Sequence, residues 1–216
     1  FDVEVGLDFL VSDLLEAEKY LQEEADGVIC TKYLAWALLM RCYLMQADFA
    51  GVSSYGSRII QSNKYQLCPD YTDIFKSSNK EILLSFPVDD ENNLPFNQLI
   101  QKGPEMPVIR YAEILLLTAE ANMRENNTYE AIQLINQVRA RNNRSLLNED
   151  ASENDVQVAL LEEWKTDLLK EGVWFFALKR FGLAEHTLQM PGYMTLLPIP
   201  GHEILVSRNM TQNPGY

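Results

Sequence analysis

The sequence predicts an all-α fold of tetratricopeptide-like stacked helix pairs, with long irregular loops and at most a short strand pair. Three observations predict it. Residues 108–142 hold two segments with apolar side chains at helical spacing, joined by a short polar turn. The same plan recurs when 35–63 is laid over 112–143: apolar helix, polar turn, aromatic (Phe49, Tyr129), second helix, with a gap of about three residues in the turn. A strand pattern is confined to one short run at 81–86. Two antiparallel helices packed on small residues make the unit of such a scaffold.

Taken in order, residues 7–24 form an amphipathic helix with Leu7, Leu10, Val11, Leu14, Ala17 and Leu21 facing inward, ended by Asp26-Gly27. Thr31 caps a second helix that runs to Ala47 and carries Leu34, Leu38, Cys42 and Met45. Residues 49–62 continue as a helix in which Gly51 and Gly56 permit close packing. The stretch 65–79, punctuated by Pro69 and Asp70, is a loop with one helical turn at 71–75. Residues 87–107, with four prolines, are loop-like.

The next helix places Ile109, Ala112, Leu116, Ala119 and Met123 on one face, and Ile114, Leu117 and Ala121 on its neighbour. Being apolar around most of its circumference, it belongs inside a bundle. Arg110, Glu113, Glu120 and Arg124 are its one polar edge, Glu120 and Arg124 standing in the favourable i,i+4 order. The polar turn 125–128 offers caps to a helix presenting Ala131, Leu134, Ile135 and Val138. Ser152 to Asp155 is a capping box, opening a helix lined by Val156, Ala159, Leu160, Trp164 and Leu168, with Gly172 as its glycine cap. After Gly182 the chain reads as short loops.

Composition narrows the function. At 216 residues, 47% apolar and 23% charged, one folded domain is the expectation. A net charge of −13 disfavours nucleic-acid phosphates and anionic lipid. Three cysteines, Cys30, Cys42 and Cys68, suit neither a disulfide framework nor a zinc site, and Cys42 reads as a core residue. The longest apolar run, 34–45, is too short to span a bilayer and is broken by Arg41. As written, the chain shows neither signal peptide nor lipid-attachment site, which leaves open a cytoplasmic protein, a mature form or a fragment.

No catalytic chemistry stands out. Glu23/Glu24, Asp89/Asp90 and Glu162/Glu163 are adjacent pairs in polar surroundings, read as solvated rather than facing a sugar across a cleft. His186 and His202 lack ligands at metal spacing, no serine or cysteine has a histidine partner in view, and no phosphate-binding glycine loop occurs. Neither catalytic residue, metal site nor cofactor is assigned. Sugar binding without chemistry needs an aromatic platform and amide or carboxylate partners for hydroxyls. The best local mixture is Asp89, Asp90, Asn92, Asn93, Phe96, Asn97 and Gln98, residues that would equally suit a solvated connection. Trp36 and Trp174 read as core, Tyr193 as either exposed or pinning the tail to the bundle, and Arg110, Glu113, Glu120 and Arg139 as structural ion pairs.

Four segments in order carry a family resemblance. The run from Pro107 through Arg110, Tyr111, Ala112 and Glu113 to Ala121 resembles the RYAE…LL…AEA helix of SusD/RagB proteins, nutrient-binding lipoproteins of bacterial polysaccharide-utilisation systems. Asn136 to Arg141 resembles the family's IN-x-VR-x-R helix, and Glu163 to Gly182 its E-x₇-EG…L-x-R-x-G segment. Residues 196–200, Glu203 and 212–216 look like its LPIP-x-x-E…QNPGY terminus. Tyr65, Leu67, Tyr71, Phe75, Glu81 and Ile82 match an earlier connection more loosely, Trp164 occupies a site that is commonly Arg, and Trp174 and Ala177 stand where the pattern has Arg and Asp. The resemblance implies a single SusD/RagB-like domain over 1–216: a first helical repeat region (1–82), a shortened connecting loop (83–107) and the family core (108–216). It implies a non-catalytic component that binds oligosaccharide or another nutrient at the cell surface. That component would be an outer-membrane lipoprotein paired with a SusC-like TonB-dependent transporter, touching the membrane only through a lipid anchor outside this sequence. The short 87–107 connection also suits a helical-repeat interaction scaffold that has lost its glycan site.

Overall fold

The computed structural model describes residues 3–24, 30–76, 79–87, 105–168, 171–207 and 209–216. Their order is α1 (Val3–Glu18), α2 (Lys32–Met45), α3 (Phe49–Gln61), a 3-10 turn (Tyr71–Phe75), β1 (Ile82–Pro87), β2 (Glu105–Arg110), α4 (Tyr111–Arg124), α5 (Thr128–Arg141), α6 (Glu153–Thr166), α7 (Trp174–Arg180), α8 (Ala184–Leu188), a second 3-10 turn (Gly192–Thr195) and α9 (Gly201–Val206). The chain divides into two compact units, Phe1–Glu171 and Gly172–Tyr216.

In the first unit α2 pairs with α3 and α4 with α5; α3 packs on α4, α1 on α2, and α6 on α4 and α5. Helix α4 is the central rod, since every residue from Tyr111 to Ala121 is buried. Ile114, Leu115 and Leu116 are wholly excluded from solvent, each worth about 1.5–3 kcal/mol on transfer from water. Glycine brings α3 close: a Cβ at Gly56 would stand 2.0 Å from Thr118 Oγ1 and 3.0 Å from Met40 Cε.

The internal repeat is written in the turns. Ala47 (φ 56°) after α2 and Asn126 (φ 63°) after α4 are both left-handed. The next amide reaches back in each: Asp48 N–H donates to Tyr43 O (2.9 Å), and Asn127 N–H to Asn122 O (2.8 Å). Both are Schellman closures, the standard answer to orphaned carbonyls at a helix end. Asn63 and Asn143, each at φ 53°, follow the second helix of each pair. The caps differ, since Asp48 accepts from Gly51 N–H at 2.9 Å whereas Asn127 makes no side-chain cap bond.

The elements depart from expectation where packing overrides periodicity. Helix α1 runs from Val3 to Glu18 and buries only Leu7; Leu10 is exposed, and Val11, Leu14, Ala17 and Leu21 are half-buried, because α2 is its main partner. Asp26 and Gly27 lie outside the described residues. Helix α2 starts from its Thr31 cap, which accepts from Leu34 N–H, but stops at Met45, itself exposed. In α5 the buried face is Ala131, Ile132, Ile135 and Val138, with Leu134 half-buried. Ser152 caps α6 by accepting from Asp155 N–H (3.2 Å). That helix ends at Thr166, so the left-handed Gly172 (φ 78°) stands beyond its end rather than capping it.

Residues 105–110 are strand where the sequence reads loop and then helix. β1 and β2 pair antiparallel, with Ile82 opposite Arg110, Ser85 opposite Pro107 and Pro87 opposite Glu105. The helical pattern therefore overshoots by three residues, and Ile109 is buried from the strand rather than from the helix.

In the second unit, the segment after Gly182 forms two short helices and a 3-10 turn instead of loops alone. Its two end motifs clasp each other. Gln212 accepts from Ile199 N–H (2.8 Å) and donates to Ile199 O (2.9 Å), Asn213 donates to Leu197 O (2.7 Å), and Tyr216 OH donates to Leu196 O (3.0 Å). Tyr193 meets Tyr216 edge-on at 5.2 Å between ring centroids.

Candidate functional site

The sequence-predicted sugar-binding residues Asp89, Asp90, Asn92, Asn93, Phe96, Asn97 and Gln98 lie outside the described residues. The structure does show what holds the two strands between which they are threaded. At the foot of that hairpin sits a buried lattice of charge.

Arg110, the last residue of β2, is fully buried. Its Nη1 donates to Glu81 beside the start of β1, its Nη2 to Asp167 O (2.7 Å) and Oδ2 (3.1 Å), and its Nε and Nη2 to the Glu171 carboxylate (2.9 Å each at closest). Burial opposes the Arg110 charge, but Glu171, Asp167 and Glu81 outweigh it and hold its pKa well above the ordinary arginine value. Arg141 on α5 donates to Glu81 Oε2 (3.1 Å) and to Asp167 Oδ1, and its guanidinium lies 5.7 Å from the Tyr71 ring centroid. Glu81 also accepts from Cys68 N–H (2.7 Å). The lattice thus fastens β1, β2, α5, the 3-10 turn and the chain after α6 at one point.

Two further grips flank it. Arg41 on α2 holds Glu113 with a bidentate pair at 2.8 Å and reaches Val108 O in β2 at 3.4 Å. Arg139 and Arg144 both donate to Glu163 Oε1, at 3.1 and 3.2 Å, while Asn142 bridges Glu163 and Asp167.

Several sequence readings change accordingly. Arg110, Glu113 and Glu120 are not a polar edge facing water; all three are buried, and of the expected edge only Arg124 is exposed. The expectation of ion pairs holds for Arg110, Glu113 and Arg139. Glu163 is buried, so Glu162/Glu163 is not a solvated pair. Trp36 and Trp174 are half-buried rather than core, Trp36 lying edge-on to Tyr33 at 5.3 Å with Lys32 and Arg58 each 5.7 Å from its ring. Trp164 and Ala177 are buried, whereas Trp174, which with Ala177 replaces the Arg and Asp of the family pattern, is half-buried. Asp167 and Asn142 were beyond sequence reasoning; Glu81 and Glu171 were visible only as letters of a motif.

Chemically, the described donors and acceptors of this lattice are engaged with one another. Among the described residues no cluster of three or more His, Cys, Asp and Glu side chains is arranged to hold a metal ion. His186 and His202 are exposed on α8 and α9. A concave groove of about 600 Å³ opens beside α6, lined among others by Leu146, Asn148, Asp150, Asp155, Val158 and Glu162. It contains no aromatic ring, so it offers no stacking platform for a sugar.

Comparison with known proteins follows the same lines. The model of the SusD family matches residues 89–195. The starch-binding protein SusD of Bacteroides thetaiotaomicron is 29% identical over 135 residues, covering 56% of this chain and 23% of that protein. SusD-like protein P2 of Formosa agariphila is 30% identical over 127 residues, covering 50% and 25%. The match therefore spans about a quarter of the length of these curated relatives. Among solved structures, a SusD-like protein from Bacteroides fragilis superposes with a TM-score of 0.82 at 14% identity, covering all of this chain and 72% of that one. A SusD superfamily protein from Bacteroides vulgatus gives 0.79 at 19% identity, with 95% and 67% covered. Surface glycan-binding protein A from Bacteroides thetaiotaomicron, in complex with laminarihexaose, gives 0.74 at 19%, with 96% and 70% covered. At these identities the structural likeness establishes the fold.

Proposed function

The chain belongs to the SusD/RagB family, and from that premise we propose that it is a non-catalytic carbohydrate-binding component of a polysaccharide-uptake system. Its ligand is an oligosaccharide, and its partner a SusC-like TonB-dependent transporter at the outer membrane, where a lipid anchor holds it on the cell surface. Both compact units are parts of one family domain. Among the described residues no helix is long and apolar enough to cross a membrane.

The observation that carries the reading is the likeness of fold to a protein solved with laminarihexaose, joined to the ordered family motifs in this sequence. Recognition falls to the segment between β1 and β2, where Phe96 supplies a ring for stacking and Asp89, Asp90, Asn92, Asn93, Asn97 and Gln98 supply hydroxyl partners. Isothermal titration of the folded protein against laminari- and malto-oligosaccharides tests it. Binding that Phe96→Ala weakens tenfold or more is expected; no heat with any oligosaccharide would refute carbohydrate binding. The second reading, an interaction scaffold without a glycan site, is favoured by the short 87–107 connection. Co-purification with the transporter in the absence of glycan binding would select it.

A further inference from the structure

The lattice at the hairpin's foot is not balanced. Two guanidinium groups, Arg110 and Arg141, meet three carboxylates, Glu81, Asp167 and Glu171. Glu81 and Asp167 each bridge both arginines, whereas among the described residues Glu171 engages Arg110 alone. Among the described residues the neighbouring arginines are already engaged by other carboxylates. Glu113 on α4 is taken by Arg41, and Glu163 and Glu162 on α6 share Arg139 and Arg144. Tyr71, the other titratable group facing Glu171, is neutral across the ordinary pH range, because burial pushes its phenol up. Among the described residues one carboxylate is therefore in excess, at a place where the Arg110, Glu81 and Asp167 side chains are fully shielded and Glu171 is 9% exposed. A buried excess charge is removed most cheaply by binding a proton.

We propose that Glu171 is a proton-operated latch, fastening the chain end of the first unit to β2 more tightly when its carboxyl is protonated. The proton comes from water and sits on one Glu171 oxygen; the other still accepts from Arg110, and Glu81 and Asp167 then match the two arginines in charge. Glu171 is the last residue of its unit and is followed by left-handed Gly172, so the latch acts where the chain leaves the helical body. The sign follows from where the proton is held. Burial, ahead of the opposing pull of Arg110, raises the Glu171 pKa from its ordinary 4.5. The closed state therefore binds the proton more strongly than the open one. The latch's contribution is complete below about pH 4.5 and is lost as pH climbs through the raised value.

Two measurements on the whole chain decide it. Carbon-13 carboxyl titration is expected to give Glu171 a midpoint above the ordinary glutamate range; a midpoint at or below that range overturns the proposal. Amide exchange at Asp167 and Glu171, whose N–H groups donate to Glu163 O and Leu168 O, reads the opening itself. Corrected for intrinsic exchange, the opening constant is expected to rise by up to about tenfold per pH unit above 4.5. Glu171→Gln should flatten that slope, while Glu162→Gln, at a half-exposed carboxylate, should leave it intact. A Glu171→Gln protein that folds and keeps the wild-type slope places the proton elsewhere and refutes the latch. If that variant does not fold, the carboxyl titration of the wild type decides alone.

Discussion

Replacing Arg110 with methionine tests whether the lattice or the apolar core dominates the first unit. Methionine fills most of the volume, so the cavity term is small and the loss is electrostatic. Glu81 and Asp167 retain Arg141, but Glu171 loses its one cation among the described residues, and Asp167 O loses a donor at 2.7 Å. Removing one partner of a buried ion pair typically costs about 3–5 kcal/mol. Total stability for such a fold is about 5–15 kcal/mol. At about 2–4 °C per kcal/mol for a chain of this length, the melting temperature should fall by about 6–20 °C. Urea unfolding followed by far-ultraviolet circular dichroism measures this, with the midpoint displaced and the m-value unchanged. The internal comparison is Arg139→Met: Glu163 keeps Arg144, and the side chain is 11% exposed, so the expected loss is about 1 kcal/mol. An Arg110→Met variant losing less than about 1 kcal/mol, or no more than Arg139→Met, would refute the claim that the lattice locks the hairpin's foot.

Three other outcomes are expected. Ala47→Gly relieves a left-handed alanine (φ 56°) and should raise stability by about 0.5–1 kcal/mol in the same urea experiment. Gly56→Ala forces a Cβ to 2.0 Å from Thr118 Oγ1 and should cost about 1–3 kcal/mol by thermal melting; a neutral result would show that α3 and α4 can separate freely. Cys68 has its thiol pKa pushed up to about 11, by burial first and Glu81 next, so its favourable contribution is present below the ordinary thiol value and lost only as pH rises toward 11. Mass spectrometry after iodoacetamide at pH 8 should find Cys30 labelled and Cys42 and Cys68 protected in the native protein.

What was legible in the sequence was local. Helix α4 could be recognised because its apolar residues recur at helical spacing around most of its circumference, and the Thr31 and Ser152 caps because their bonds close within three residues. The β2 strand was hidden because Val108, Ile109 and Arg110 continue the helical pattern, and the pairing that makes them a strand comes from residues more than twenty positions away. The lattice was hidden for the same reason. Arg110 meets Asp167 across 57 positions and Glu171 across 61, and charged residues on a helix pattern are ordinarily assigned to water. The exposed Leu10 erred the other way: amphipathicity says which face of a helix is apolar but not how much of it a neighbour covers. The candidate sugar-binding residues were read from composition alone, since stacking and hydroxyl recognition leave no periodic trace.

These observations change what the family motifs mean. Glu81, Arg110, Glu113, Arg139, Arg141, Glu163 and Glu171 are among the charged letters by which the resemblance is recognised, and each makes hydrogen bonds to another part of the same chain. Gln212, Asn213 and Tyr216 do so too, holding backbone groups of residues 196–199. The Arg110 guanidinium, which meets three carboxylates and is fully buried, presents nothing to a sugar hydroxyl. These residues of the motifs are therefore engaged in building the scaffold. Under the proposed function the ligand would be chosen by side chains outside the lattice. Within the proposed carbohydrate-binding function, substitutions at Phe96 and its polar neighbours should alter affinity at constant stability, and substitutions in the lattice should alter stability first. A lattice variant that changed ligand preference while melting at the wild-type temperature would break that division of labour.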